Sequence, residues 1–399
     1  MKKPFTLLLL VLSIHVFSQA PTFQWAKGMG GTTYDIGYSV AVDGAGNVYT
    51  TGYFAGTVDF DPGPGVYTLS TTSQDVFISK LDASGNFVWA KSILATGSSG
   101  GLAIVVDGLS NVYITGYFGG SADFDPGIGT FTMTSIGSYD TYISKLDAFG
   151  NFLWAKQIGG DVQSNALCID ALGNLYMHGI FVGAPDFDPG PGVFNMISPF
   201  GNSIFICKLN SAGSFVWAKQ FNGSDPFNSG NSITVDASGN VFTTGVFRSL
   251  VDFDPGAGTY TLTATGNNDV FICKLNSTGT FVWAKQIGGV GNDAGNSITV
   301  DAIGNVYTTG AFVSTVDFDP GTGTYNLSSV AASSDIFISK LDASGNFSWA
   351  KQIGGTGSDI GISIIIDAIG DLFISGAFDG VADFDPGVPV FNLTSPGGF

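Results

Sequence analysis

The pentapeptide Asp-Phe-Asp-Pro-Gly occurs six times in this 399-residue chain, beginning at Asp59, Asp123, Asp186, Asp252, Asp317 and Asp383, at intervals of 64, 63, 66, 65 and 66 residues. Trp25, Trp89, Trp154, Trp217, Trp283 and Trp349 keep the same beat, each opening a Trp-Ala-Lys triplet. A fixed period of this size means one supersecondary unit copied in tandem, each copy burying its faces against its neighbours. Whatever the chain does, it does on a stack of similar units.

The unit that starts near Asn296 shows what is copied. Ser297 to Asp301 and Val306 to Phe312 read as strands rich in β-branched and aromatic residues, joined by the turn Ala302-Ile303-Gly304-Asn305. After a linker carrying Asp317 to Gly321, Ile336 to Leu341 and Phe347 to Gln352 read as a second pair around Ala343-Ser344-Gly345-Asn346. Asp-x-x-Gly-Asn turns recur at Asp43, Asp170, Asp236 and Asp301. There the aspartate can cap the turn and glycine supplies positive φ. The Trp-Ala-Lys triplets read as packing, with lysine stems lying over indoles.

No stretch carries helical periodicity, so the fold class is all-β: a β-propeller of four-stranded blades with six repeats visible. Outer hairpins are expected at residues 76–91, 141–157, 204–220, 270–286 and 336–352, and a lone inner pair at 362–367 and 371–378. The last repeat therefore reads as C-terminally truncated. Phe23 to Lys27, a fourth strand without its third, is expected at the open edge, where propellers close their rings.

Composition bounds the compartment and the partners. Residues 1–20 read as a signal peptide, with Lys2 and Lys3, an apolar run from Leu7 to Leu12, and Ser18-Gln19-Ala20 as the cleavage site. Residues 21–399 form the repeat domain, expected to be secreted or on the cell surface, without a transmembrane segment. All 32 acidic residues are aspartate, and removing Lys2 and Lys3 from the 14 basic residues leaves 12 − 32 = −20. So negative a chain is unsuited to nucleic acid and suited to cations. Cys168, Cys207 and Cys273 are an odd set and read as small buried hydrophobes rather than a disulfide framework.

Three stretches carry a family resemblance. Ser297 to Gly310 runs Ser-Ile-Thr-Val-Asp-Ala-x-Gly-Asn-Val-Tyr-x-Thr-Gly, Asp335 to Asp342 runs Asp-x-Phe-Ile-x-Lys-Leu-Asp, and Trp349 to Gly355 runs Trp-Ala-Lys-x-x-Gly-Gly. This resembles the bacterial seven-bladed β-propeller repeat (SBBP), and in-phase copies cover the whole mature chain. The resemblance implies a propeller with Ile-Thr-Val-Asp innermost and implies no activity. The Asp-Phe-Asp-Pro-Gly version further resembles repeats of surface proteins exported by type IX secretion, which implies a C-terminal sorting domain beyond the sequence given.

Few groups here can do chemistry. His178 is the one histidine after the signal, and it replaces the threonine found at Thr51, Thr244 and Thr309. No nucleophile elbow, zinc-ligand spacing or phosphate loop occurs. Paired carboxylates are abundant: Asp59 and Asp61, Asp123 and Asp125, Asp186 and Asp188, Asp252 and Asp254, Asp317 and Asp319, Asp383 and Asp385. Strand alternation would put both members of a pair on one face. Two readings stay open for them: a tight turn built on Pro-Gly, or a Ca²⁺ loop needing further oxygens. Six equal copies lack the asymmetry a catalytic carboxylate pair requires. The expected function is a non-enzymatic scaffold for interaction or adhesion, with a protein or glycan ligand. The alternative is a polysaccharide hydrolase or lyase working in the central channel.

Overall fold

The computed structural model describes residues 23–223, 225–387 and 389–397. The expected targeting segment at residues 1–20 lies outside the described residues. No α-helix occurs among them, and no helix is long and apolar enough to cross a membrane.

Each repeat forms an antiparallel meander. The first sheet runs Ile36–Val42, Val48–Asp59, Thr68–Leu81 and Phe87–Ala95. The second to fifth begin at Ser99, Val162, Ser229 and Ala294, and the sixth holds only Ile360–Ile366 and Leu372–Ala377. The expected hairpins fall inside these strands. The inner strands stack in order from first sheet to sixth. Stacking is forced because a four-stranded sheet with two apolar faces cannot cover either one itself. Thus Ile104 of the second sheet buries against Tyr49, Val76 and Ile78 of the first, and Ile364 of the sixth against Tyr307, Ile336 and Ile338 of the fifth.

The linker after the second strand is not a loop. Its Asp-Phe-Asp-Pro-Gly turn is bracketed by a short hairpin, such as Leu250–Asp252 with Thr261–Thr263. In four repeats that hairpin joins the outer strand of the preceding sheet: Leu94 pairs with Asp123, Asn222 with Asp252, Gly288 with Asp317 and Gly354 with Asp383. The outer edge of one sheet is thereby covered by the next repeat.

The motif phenylalanine packs within its own repeat and can also reach the sheet before it. Phe253 packs on Phe247 and Phe271 at 5.5 and 5.0 Å, and also meets Phe221 of the preceding sheet at 5.1 Å. Phe60, Phe124, Phe187 and Phe318 make the same two contacts within their own repeats.

The Trp-Ala-Lys triplets look forward along the stack. Trp89 Nε1 donates to Ala148 O at 3.2 Å, and Trp283 Nε1 to Ala343 O at 3.4 Å, each in the outer turn of the following sheet. Gly150 in one such turn has φ 78°, and a Cβ there would lie 3.2 Å from the Trp89 ring. Both facts demand glycine.

The amino-terminal segment is anchored on the first sheet. Trp25 Nε1 donates to Ala83 O at 3.0 Å and Gly30 bridges to Asp59, so the Phe23 to Lys27 segment docks on the first sheet. It obeys the rule of the other tryptophans, reaching the outer turn of the sheet that follows it. The first and sixth inner strands share no packing like that of consecutive sheets among the described residues. Each end of the stack consequently presents apolar side chains, with Val40 62% exposed at one and Ile365 60% exposed at the other.

Candidate functional site

The acidic motifs are occupied in holding their own backbone. Asp59 Oδ1 accepts the amides of Asp61 (3.0 Å) and Tyr67 (2.9 Å), and Asp61 Oδ1 accepts that of Gly63 at 2.8 Å. Asp123 and Asp125, Asp186 and Asp188, Asp252 and Asp254, Asp317 and Asp319, and Asp383 and Asp385 repeat these three bonds. Among the described residues no group of three or more His, Cys, Asp or Glu side chains converges to hold a metal ion. The geometry supports the turn reading.

The inner turns follow the same logic. Asp43 takes the amides of Ala45 and Asn47, the Asn47 side chain and the hydroxyls of Tyr49 and Ser110. Burial would raise its pKa, but these donors outweigh burial and hold the carboxyl well below its usual range. The basic side chains are used in packing as well. Lys80, Lys145, Lys208, Lys274 and Lys340 each sit 4.7–5.0 Å above a tyrosine or phenylalanine ring.

His178 is fully buried, and its Nδ1 lies 2.8 Å from Phe205 O. Thr51, Thr115, Thr244 and Thr309 send their hydroxyls to the equivalent carbonyls at 2.7–2.8 Å. The imidazole therefore replaces a threonine in one repeated bond, carrying its proton on Nδ1. Burial pulls its pKa down to about 4.

Two close carboxylate relationships do exist, away from the Asp-Phe-Asp-Pro-Gly loops. Asp293 is pushed up to about 6 by burial and by neighbouring Asp269, and Asp335 to about 6 by burial and by Asp359. All four are buried at the seams between sheets. Asp293 accepts the amides of Val313 and Gly289, which marks it as a seam fastener. The cysteines are free as expected, with Cys207 and Cys273 buried and Cys168 half-buried.

The repeats differ from one another at the inner strands. A β-bulge interrupts the inner pair of every sheet, and the bulged residue is Tyr38, Leu102, Asn165, Asn231, Asn296 and Ile362 in turn. A bulge re-aims its side chain. Asn165, Asn231 and Asn296 use this to donate to Gly230 O, Gly295 O and Gly361 O of the next inner strand at 2.8–3.0 Å. Tyr38 and Leu102 stand in the place of asparagine in the first two sheets, and beside them opens a cleft of about 730 Å³.

The cleft crosses the first three sheets, lined by Tyr38, Gln74, Tyr117, Tyr139, Gln163 and Asn202, with Asp161 at its side. Tyr117 and Tyr139 meet edge to face at 5.5 Å, and Tyr38 lies 5.8 Å from Tyr53. Gln74 Nε2 donates to the Tyr117 hydroxyl at 2.7 Å. Burial raises the pKa of both Tyr38 and Tyr117. None of these residues is among the sequence candidates, because they depart from the repeat whereas the motifs are its constant part. Setting the six copies in register and reading their differences would have found them: the Tyr53 and Tyr117 position holds Ile180, Val246, Ala311 and Ala377 elsewhere.

Comparisons with known proteins agree with this architecture. The beta-propeller repeat model (SBBP) matches at residues 24–53 and 282–311. An uncharacterized WD repeat-containing protein, L264, of Acanthamoeba polyphaga mimivirus is 23% identical over 90% of this chain and 30% of its own length. The regulatory protein FlaEY of Caulobacter vibrioides is 27% identical over 28% of this chain and 12% of its own. The chain thus spans less than a third of the length of the curated relatives it matches. A solved extracellular domain assigned to a one component system, BT4673, from B. thetaiotaomicron covers 90% of this chain and 58% of its own at 11% identity, but with a TM-score of 0.25 it carries no argument. The chain is all-β, built of antiparallel sheets that suit a propeller.

Two measurements follow from these geometries. Thermal melts in chelator and in millimolar Ca²⁺ should share one midpoint, since Asp59, Asp61 and their equivalents close turns; a calcium-dependent rise would establish the cation loop. His178 gives the second. The unfolded chain protonates it below about 6.5, while the folded chain resists until about 4. Its contribution to stability is therefore complete above 6.5 and is lost as pH falls towards 4, by up to about 3 kcal/mol. Asp293 and Asp335, with raised values, act in the opposite sense over the same window. Denaturation of wild type and His178→Thr side by side isolates the histidine: the variant should gain on wild type through that window, and parallel curves would contradict its burial as a neutral ring.

Proposed function

We propose that the chain is an exported β-propeller, with six blade units visible, that acts without catalysis as a rigid scaffold for interaction or adhesion. Export is inferred from the charged, apolar and small-residue pattern of residues 1–20. The observation that carries the functional reading is the convergence of the repeats' departures on the cleft of Tyr38, Tyr117 and Tyr139. Side chains common to all copies are engaged in packing, capping and seams, whereas several that differ, Tyr38, Leu102, Tyr117 and Tyr139 among them, line one accessible cleft. A rigid framework displaying a variable surface is how repeat folds recognise partners.

An enzyme would need a titrating group aimed into an accessible site. His178 is buried in a structural bond, the raised carboxylates lie inside the seams, and among the described residues Asp161 stands as the one carboxylate lining the cleft. The test is binding of the intact mature chain to a panel of immobilised extracellular proteins and polysaccharides, with reducing ends followed in parallel. Saturable retention without new reducing ends is expected. Release of reducing ends would favour the hydrolase or lyase reading, and absence of saturable binding to every class would remove the scaffold.

A further inference from the structure

Resting on that scaffold reading, we propose that the cleft between the first three sheets is a binding site for a neutral oligosaccharide. Its shape comes from positions that the later repeats fill differently. The bulge residue in the third to fifth sheets is an asparagine tied to the next inner strand, and in the first two it is Tyr38 and Leu102. Gln74, Tyr139 and Asn202 share one position in the first three repeats, just before Asp75, Asp140 and Ser203. Three successive copies thus deliver side chains of complementary type to one place.

The chemistry of those side chains selects the ligand class. Tyr38 and Tyr139 are 51% and 47% exposed, so their ring faces are open to solvent. An aromatic face is electronegative and attracts the polarised C–H bonds on one side of a pyranose ring. The T-shaped contact of Tyr139 with Tyr117, and the Gln74 bond to the Tyr117 hydroxyl, hold part of this platform in place before any ligand arrives. Such preorganisation lowers the entropic cost of binding. Around the rings stand Gln163, Asn202 and Asp161, amide and carboxylate groups that can serve sugar hydroxyls as both donors and acceptors. Gln163 is already oriented by its donation to Asn165 Oδ1 at 2.8 Å.

Charge narrows the class further. No lysine or arginine lines the cleft, and Asp161 stands at its side. Phosphorylated, sulfated and uronate ligands are disfavoured by this and by the acidity of the whole chain. A volume of about 730 Å³ falls within the range of about 300–1,000 Å³ typical of small-molecule sites. It suits a few sugar residues lying across the open groove.

Isothermal titration of the intact mature chain with neutral tetrasaccharides of glucose, xylose, mannose, galactose and N-acetylglucosamine tests this. At least one series should bind with Kd near about 1 mM or tighter, and Tyr139→Ala should weaken it about tenfold or more with the melting midpoint unchanged. Tyr38→Ala, on a different sheet, should weaken the same series. A uronate analogue should bind less well than its neutral counterpart, and Asp161→Asn should narrow that gap. Failure of all five series, or binding indifferent to both tyrosine variants, would overturn the proposal. Competition for the cleft by a protein or peptide alone would also overturn it, while leaving the scaffold reading intact.

Discussion

Everything in this structure depends on how one phenylalanine is shared between two successive sheets. In Asp-Phe-Asp-Pro-Gly the two aspartates close the backbone of a short hairpin, and the hairpin strands add to the outer edge of the preceding sheet. The phenylalanine points inward, and Phe253 touches Phe247 and Phe271 of its own repeat and Phe221 of the one before. A sheet that cannot bury its faces alone is thus joined to its neighbour by hydrogen bonds at the rim and by aromatic contact within. The tryptophan of each triplet reaches the other way, to the following sheet. Each repeat is tied both backward and forward.

This double tie explains why so acidic a chain carries so little apparent chemistry. Carboxylates that look like paired ligands are turn caps, and lysines that look free lie over rings. The single buried histidine stands in for a threonine. In a tandem repeat a side chain present in every copy answers a requirement present in every copy, and here the shared aspartates close their turns. Function is then sought where copies disagree. Here they disagree at the bulge, at the second-strand position of Tyr53 and Tyr117, and at the position of Gln74, Tyr139 and Asn202.

Much of this was legible in the sequence, and the limits have physical causes. The four-stranded unit, its turns and its hairpins follow from alternation and from Gly-Asn signals, which are local. The role of Asp43 in capping its turn is local too. The hairpin's attachment to the previous sheet was not legible, because its partner strand lies one repeat earlier and no local pattern announces such a pairing. The bond from Trp25 to Ala83 is not legible for a related reason: its partner turn lies 58 residues away in the next unit. The cleft was missed because it consists of departures from a motif. Tyr38 is unremarkable in its own strand, and becomes informative only beside Asn165, Asn231 and Asn296.

The central claim is that the Asp-Phe-Asp-Pro-Gly hairpin fastens adjacent sheets, and Phe253→Ala tests it most directly. Equilibrium urea unfolding of the variant should fall short of wild type by about 3–5 kcal/mol, the loss typical of deleting a buried aromatic ring. Native-state hydrogen exchange should register the loss in the amides pairing Asn222 with Asp252 and Gly223 with Val251. A loss under about 1 kcal/mol, with those amides as protected as before, would contradict the account.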